Sequence, residues 1–344
     1  MHLRIYFSLL IIFILAGISN SSCQSGAISA PAPLNRDWSA HPAIVEYDTE
    51  EDIFVIGDIH GDYKGLLNLL VASEIIAENP NAPNQVEWKA GTSFLVIPGD
   101  FVSKGKHSVD VLELLRNLQE SASENGGRVI LTFGNHEATI LSNPDDHKVE
   151  NLKKELNKLG ISTADLIAGK DSLGIGKYLQ QLPFSARVND WYFVHAGNPE
   201  KRNMKELKEL IEAEVEKEGF GAAILLDEKD GILEVRMDPR PWWEKKKDSP
   251  KESKKRLKEL VGALGVNHIV VGHQPGKYTF SDGKTRKKGK IDEKFNGTIF
   301  FIDTGMESNN GEGAMLRIHK KDGKETVSVI FPDKDKTKIL WQKD

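Results

Sequence analysis

Five short apolar runs of β-branched and aromatic residues recur along this chain, and each stops at a cluster of oxygen or nitrogen donors. Ile53-Phe54-Val55-Ile56 leads into Gly57-Asp58-Ile59-His60-Gly61, and Phe94-Leu95-Val96-Ile97 precedes Gly99-Asp100. Val129 to Phe133 precedes Gly134-Asn135-His136-Glu137, Trp191 to Val194 precedes His195-Ala196-Gly197, and Ile269-Val270-Val271 precedes Gly272-His273. Runs of this kind read as buried strands. In layered α/β folds, ligands gather just beyond strand ends, where rigid strands hold several side chains convergently. One Asp-x-His arises easily by chance; five donor clusters at five consecutive strand ends do not.

Between these runs the apolar residues follow helical spacing. Tyr63 to Ala77, Val109 to Leu118 and Val149 to Leu159 each predict a helix with one apolar face. Met204 to Glu218 and Ser253 to Leu264 predict Lys/Glu-rich helices around Trp242-Trp243, so residues 199–265 read as a helical insertion beside the site. Further strands are expected at Thr298 to Ile302, Met315 to His319 and Thr326 to Phe331. Strand and helix alternation over residues 51–333 predicts a single α/β domain, with 334–344 a charged tail.

The chain has 344 residues and ample material for such a core, with 39% hydrophobic and 28% charged residues. A net charge of −5 excludes a general nucleic-acid-binding footprint. Lys245-Lys246-Lys247 and the basic stretch Lys284 to Lys290 read as solvated loops.

Ahead of the domain, Arg4 precedes an apolar run from Ile5 to Ile18 and the small polar stretch Asn20-Ser21-Ser22. This order reads as a secretory signal over residues 1–23. The sole cysteine, Cys23, follows it, and the arrangement resembles a bacterial lipoprotein site, although Asn20 stands where an aliphatic residue is usual. Lipidation at Cys23 and simple cleavage nearby both stay open. Either predicts export to the periplasm or cell envelope, with membrane contact only through an N-terminal lipid or signal anchor. The Ser/Ala/Pro-rich residues 24–50 read as a tether.

The donor inventory, in chain order, is Asp58, His60, Asp100, Asn135, His195 and His273. Two divalent ions about 3.5–4 Å apart clamp a phosphoryl group and generate a nucleophile near neutral pH, and holding them takes a shared carboxylate plus separate ligands. The motifs Gly-Asp-x-His-Gly, Gly-Asp-x-Val, Gly-Asn-His-Glu, His-Ala-Gly and Gly-His resemble those of calcineurin-like metallophosphoesterases from about Asp52 to Ile318. The likeness is strongest to the branch with phosphoprotein phosphatases and diadenosine-tetraphosphatase-like enzymes. It implies an αββα sandwich, two mixed sheets flanked by helices. It also implies Asp58 and His60 on one metal, Asp100 bridging, and Asn135, His195 and His273 on the second. His136 would be the general acid, and a metal-bridging hydroxide the in-line nucleophile on a phosphomonoester. Oxygen and nitrogen donors without thiolate suit Mn, Fe, Zn or Ni, with Mn the expected activator. Glu137 and Asp303 are expected to orient other groups. His41, His107, His147, His268 and His319 match no motif and read as ordinary hydrogen-bonded residues.

The second motif departs from the protein-phosphatase pattern Gly-Asp-x-Val-Asp-Arg-Gly. Here Ser103 replaces the Asp that orients the catalytic histidine, and Lys104 replaces the phosphate-gripping Arg. Small-residue-then-Lys, and Leu182-Pro183, are similar to the diadenosine-tetraphosphatase-like branch. Ile302 to Met306 is similar to bacterial Shewanella-like phosphatases. Lys104 and Arg240, with Arg236 near it, are the candidate substrate contacts. The expected substrate is a phosphorylated small molecule or phosphopeptide. The alternatives are nucleotide, dinucleoside polyphosphate or polyphosphate hydrolysis, and a non-catalytic envelope binding module.

Overall fold

The computed structural model describes residues 36–308, 313–333 and 337–343. The chain divides into two units, Met1–Ala32 and Pro33–Asp344, and the fold is that of the second. The apolar N-terminal run, Cys23 and the first part of the tether lie outside the described residues.

Strands β1 (Ile44–Tyr47), β2 (Ile53–Ile56), β3 (Phe94–Ile97), β4 (Arg128–Leu131), β5 (Ser185–Val188), β6 (Trp191–Val194) and β7 (His268–Val271) come first. They are followed by β8 (Tyr278–Thr279), β9 (Thr285–Arg286), β10 (Asp292–Lys294), β11 (Ile299–Phe301), β12 (Met315–Lys321), β13 (Lys324–Ile330) and β14 (Thr337–Lys343). One sheet runs β1-β5-β6-β7-β11-β10 and the other β14-β13-β12-β2-β3-β4, with β8-β9 a small hairpin. Both large sheets are mixed: β2, β3 and β4 are parallel, as are β6 and β7, while β12 is antiparallel to β2.

The period of two explains the layering. In β2, Ile53 and Val55 join one apolar cluster and Phe54 and Ile56 the other. In β3, Phe94 and Val96 divide the same way from Leu95 and Ile97. The cluster of Ile53, Val55, Val96, Trp191, Phe193, Val270, Phe300 and Leu316 draws on both sheets and is the layer between them. The other cluster joins the opposite strand faces to the helices. Both faces of these strands are therefore buried, which is why they read as continuous apolar runs.

Six helices precede β5: α1 (Tyr63–Ala72), α2 (Ser108–Glu124), α3 (Asn135–Ser142), α4 (Glu150–Lys158), α5 (Thr163–Ile167) and α6 (Ile175–Gln181). Between β6 and β7 lie α7 (Met204–Glu218), α8 (Ala223–Leu226) and α9 (Pro250–Ala263). Reciprocal caps start two of these: Asn203 with Glu206 at α7, and Ser249 with Glu252 at α9. The first helix stops at Ala72, short of Ala77, where Ser73 caps it and Glu74 turns left-handed (φ 59°).

Two stretches expected to lie outside the domain belong to it. Within the 24–50 tether, β1 pairs in parallel with β5, Ala43 and Ile44 are buried, and the Arg36 guanidinium donates to the carbonyls of His41, Gln180 and Leu182. Within the 334–344 tail, β14 pairs with β13 and buries Trp341. Both are edge strands with an exposed polar face, so neither carries the apolar run that marks a central strand.

Candidate metal centre

Asp58 and His60 follow β2, Asp100 follows β3, His195 follows β6 and His273 follows β7. Asn135 opens α3, a helix the sequence pattern did not predict, because its first turn is made of the donors themselves. Asp58, His60, Asp100, Asn135, His136, His195 and His273 are all buried and gather at one place. Two glycines next to donors are there for space. A Cβ at Gly134 would stand 2.2 Å from Asp100 Oδ1, and one at Gly272 would stand 2.4 Å from Asp58 Oδ1. Backbone strain is concentrated here too, since His60, Asp100 and His273 have φ of 49°, 53° and 68°.

Asp100 is the hub. Its Oδ2 lies 3.3 Å from His195 Nε2, 3.5 Å from His60 Nε2 and 3.8 Å from His136 Nε2, and its Oδ1 accepts the His136 backbone N–H at 3.0 Å. Around His195 Nε2 stand Asn135 Oδ1 at 3.2 Å and His273 Nδ1 at 3.1 Å. The opposite nitrogens face backbone carbonyls: His195 Nδ1 donates to Pro98 (3.0 Å) and His60 Nδ1 to Val102 (3.2 Å). Asp58 Oδ2 lies 3.7 Å from His60 Nε2, and its carboxylate accepts the His273 backbone N–H. His60–Asp100–His136 and Asp100–His195–His273 each form a group able to hold an ion.

This arrangement fits divalent cations on the donors' own chemistry. With their Nδ1 protons committed to carbonyls, His60 and His195 aim lone pairs at carboxylates, an amide oxygen and another imidazole. The buried His273 Nε2 has no partner. Positive charge meets that need in the protein by other means. Burial opposes a proton on His195, but Asp100 and Asp58 outweigh it and lift its pKa to about 9. The Lys104 ammonium lies 2.6 Å from His60 Nε2. Burial likewise works against ionised Asp100, yet the imidazoles of His195, His136 and His60 hold it well below the usual carboxylate range.

The surrounding groups set these orientations. Glu137 accepts the N–H groups of Asp100, Val102 and Gly134 at 2.8–3.1 Å, tying two strand ends to the first turn of α3. Asp303 accepts Gly305 N–H at 2.8 Å and shares a side-chain hydrogen bond with Asp58 of the cluster. Ser103 is fully buried with its hydroxyl unpartnered, and His136 Nδ1 is unpartnered as well. Burial, reinforced by Lys104 and His195 against the help of Asp100, lowers the His136 pKa to about 4.

A cavity of about 370 Å³ opens onto the cluster, and Lys104, Lys148 and Arg236 contribute to its wall. Arg240, the expected substrate contact, is exposed and lies outside that wall; Arg236 stands there instead. Two residues of this wall and its support, Lys148 and Glu234, carried no sequence signal. Glu234, buried, accepts from Asn135 Nδ2 at 2.5 Å and binds both Lys148 Nζ (3.0 Å) and Arg236 (2.8 Å). Its loop docks on the fourth motif, as Ile232 carbonyl accepts from Ala196 and Gly197.

Residues 52–277 match the calcineurin-like phosphoesterase family. The chain is 27% identical over 310 residues to an uncharacterized protein of Schizosaccharomyces pombe, covering 85% of this chain and 84% of that one. It is 28% identical over 267 residues to Shewanella-like protein phosphatase 1 of Plasmodium berghei, covering 74% and 67% respectively. In fold it is similar to the cold-active protein-tyrosine phosphatase of a psychrophilic Shewanella species, with a TM-score of 0.61, 19% identity, and coverage of 86% and 82%. By its strand-end motifs, its two-sheet fold and this match over most of its length, the chain belongs to the calcineurin-like phosphoesterases, a family of divalent-metal-dependent hydrolases.

Proposed function

We propose that the chain is a phosphomonoesterase working with two divalent cations. Asp58, His60 and Asp100 would hold one, and Asp100, Asn135, His195 and His273 the other. The observation that carries this reading is the position of Asp100 Oδ2, within 3.3–3.5 Å of a histidine from each set. The cations would neutralise phosphoryl charge and activate water near neutral pH; manganese is the proposed activator.

The chain's own residues do the rest. Lys104, Lys148 and Arg236 give the cavity wall positive charge for the phosphate. His136 is better suited to the leaving oxygen than to a cation, because Asp58 already completes the first set beside His60. Its nearly buried ring faces the cavity and can hold or release a proton there. With pKa lowered to about 4 in the metal-free protein, it needs the incoming phosphate's negative charge to carry a proton.

Three cationic side chains along one wall also suit a second reading, hydrolysis of a polyphosphate anhydride. The intact donor set speaks against a mere binding module. Turnover of an aryl phosphate, phosphopeptides, dinucleoside polyphosphates and polyphosphate with added manganese tests all three. No turnover on any of them would favour the binding module. Export is proposed on the N-terminal pattern alone, with Cys23 as the position to be lipidated or lost.

A further inference from the structure

We propose a third cation site, built by Asp190, His268 and Glu325 at the end of the sandwich away from the catalytic cluster. His268 opens β7, the strand whose other end delivers His273, so about 16 Å of extended chain separates the two. Asp190 sits in the turn between β5 and β6 of the same sheet, whereas Glu325 is on β13 of the other. The site therefore clasps the two sheets together.

The residues are spaced for an ion and not for hydrogen bonds. His268 Nε2 lies 4.0 Å from Asp190 Oδ2 and 3.7 Å from Glu325 Oε2, and the three ligand atoms lie within 4.8 Å of one another. N–H···O bonds end near about 3.2 Å. Ligands around a tetrahedral cation with bonds of about 2.0–2.2 Å stand about 3.3–3.6 Å apart, so side-chain shifts of up to about 1 Å bring the donors to bonding distance. His268 is 4% exposed, and its Nε2 is buried without a partner.

Each ligand is also held from behind, as metal ligands are. His268 Nδ1 donates to Gly297 carbonyl at 2.6 Å, which leaves the Nε2 lone pair facing the two carboxylates. The Trp191 indole stacks on the imidazole at 4.1 Å and 16°, and its Nε1–H donates to Glu325 Oε1 at 2.8 Å. Asn267 Nδ2 donates to Asp190 Oδ2 at 2.7 Å. A cavity of about 520 Å³ lined by Asn267, His268, Thr298 and Trp341 adjoins the site, and the Asp190 side chain is 39% exposed, so an ion has a way in. One imidazole and two carboxylates, without thiolate, suit a first-row divalent cation with water as a further ligand. Zinc is the probe of choice.

The test compares the full-length protein with His268→Gln and Glu325→Gln after equilibration with zinc and removal of free metal. Elemental analysis should find about one zinc fewer in each variant. Turnover of an aryl phosphate should stay within about twofold of wild type, and chelator should lower the melting temperature of the variants less than that of wild type. Asp190→Asn, at a half-exposed position, repeats the measurement should a core variant fold poorly. Equal zinc in wild type and all variants would overturn the proposal and leave His268 an ordinary core residue. So would a zinc loss that takes turnover with it, because the ion would then belong to the catalytic cluster.

Discussion

Glu234 Oε2 lies 2.5 Å from Asn135 Nδ2, so the carboxylate fixes which way the amide faces and leaves Asn135 Oδ1 pointing at His195. The same carboxylate receives Lys148 and Arg236 from the cavity wall. One buried side chain thus orients a donor of the cluster and anchors two cationic side chains of the cavity wall. Glu234→Ala should weaken divalent-metal affinity by about 10–100-fold, the usual cost of losing such support. It should also raise KM, because Lys148 and Arg236 lose their anchor. Metal titrations followed by turnover separate the two effects, and wild-type metal dependence in the variant would refute the positioning role.

Asp100 and His136 should fail in different ways. Asp100→Asn removes the charge shared by both donor sets, so metal content and turnover should fall together. His136→Gln should leave metal content near that of wild type while slowing hydrolysis by about 10²–10⁴, most for aryl phosphates with poor leaving groups. Elemental analysis and kinetics on two such esters read both. Retention of two metals and full turnover by Asp100→Asn would remove the assignment.

Stability of the metal-free protein should fall between pH 6.5 and 9. His195, raised to about 9, contributes stability that is complete below the unfolded value of about 6.5 and is lost as pH rises through 9. Glu137, which burial and Asp100 raise to about 7, acts in the same direction at the lower edge of this window. The buried imidazoles of His60, His136 and His273 are depressed and no longer titrate there. The loss from His195 is on the order of 3 kcal/mol. Melting temperatures with chelator should show it, saturating metal should remove most of it, and His195→Gln should flatten it. A chelated wild type as stable at pH 9 as at 6.5 would contradict this account.

The strands and most of the cluster were legible because each donor directly follows an apolar run that is buried on both faces. Asp58, Asp100, His195 and His273 inherit their positions from strand ends, so reading the strands reads the site. Glu234 was not legible. It sits in an irregular loop between α8 and α9, 99 residues from the Asn135 it contacts, and tertiary docking such as that of Ile232 on Ala196 and Gly197 brings it in. Strands β1 and β14 escaped for a related reason: the sheet edge beside each one decides its structure, and its own four to seven residues do not.

The N-terminal pattern predicts export, and fractionation of wild type beside Cys23→Ala decides between lipidation at Cys23 and simple cleavage. A chain carrying lipid at Cys23 should sediment with membranes, and the variant should be released. One acyl chain binds only marginally, so firm anchoring needs a second chain or signal. Equal release of both into the soluble periplasm would remove lipidation, and recovery in the cytoplasm alone would remove export.

Substrate choice should follow Ser103 and Lys104. Both have left-handed backbone (φ 71° and 54°), and Ser103 is buried with its hydroxyl unpartnered while His136 Nδ1 is unpartnered too. No carboxylate therefore supports a proton on His136 through Nδ1, and a neighbouring carboxylate is what raises a histidine pKa. A general acid without that support handicaps a serine alkoxide leaving group more than a phenolate or a phosphate. Lys104 brings a point charge, which suits a polyphosphate but cannot grip one phosphate through two fixed bonds as Arg does. Wild type should therefore favour aryl phosphate, phosphotyrosine or anhydride over phosphoserine, and Ser103→Asp with Lys104→Arg should shift the ratio toward phosphoserine. Because the Asp enters a buried position, its melting temperature must first show a folded protein, with Lys104→Arg alone as the second comparison. Values of kcat/KM on all the substrates decide; a wild type that prefers phosphoserine, or folded variants with an unchanged ratio, would show that these two positions do not set selectivity.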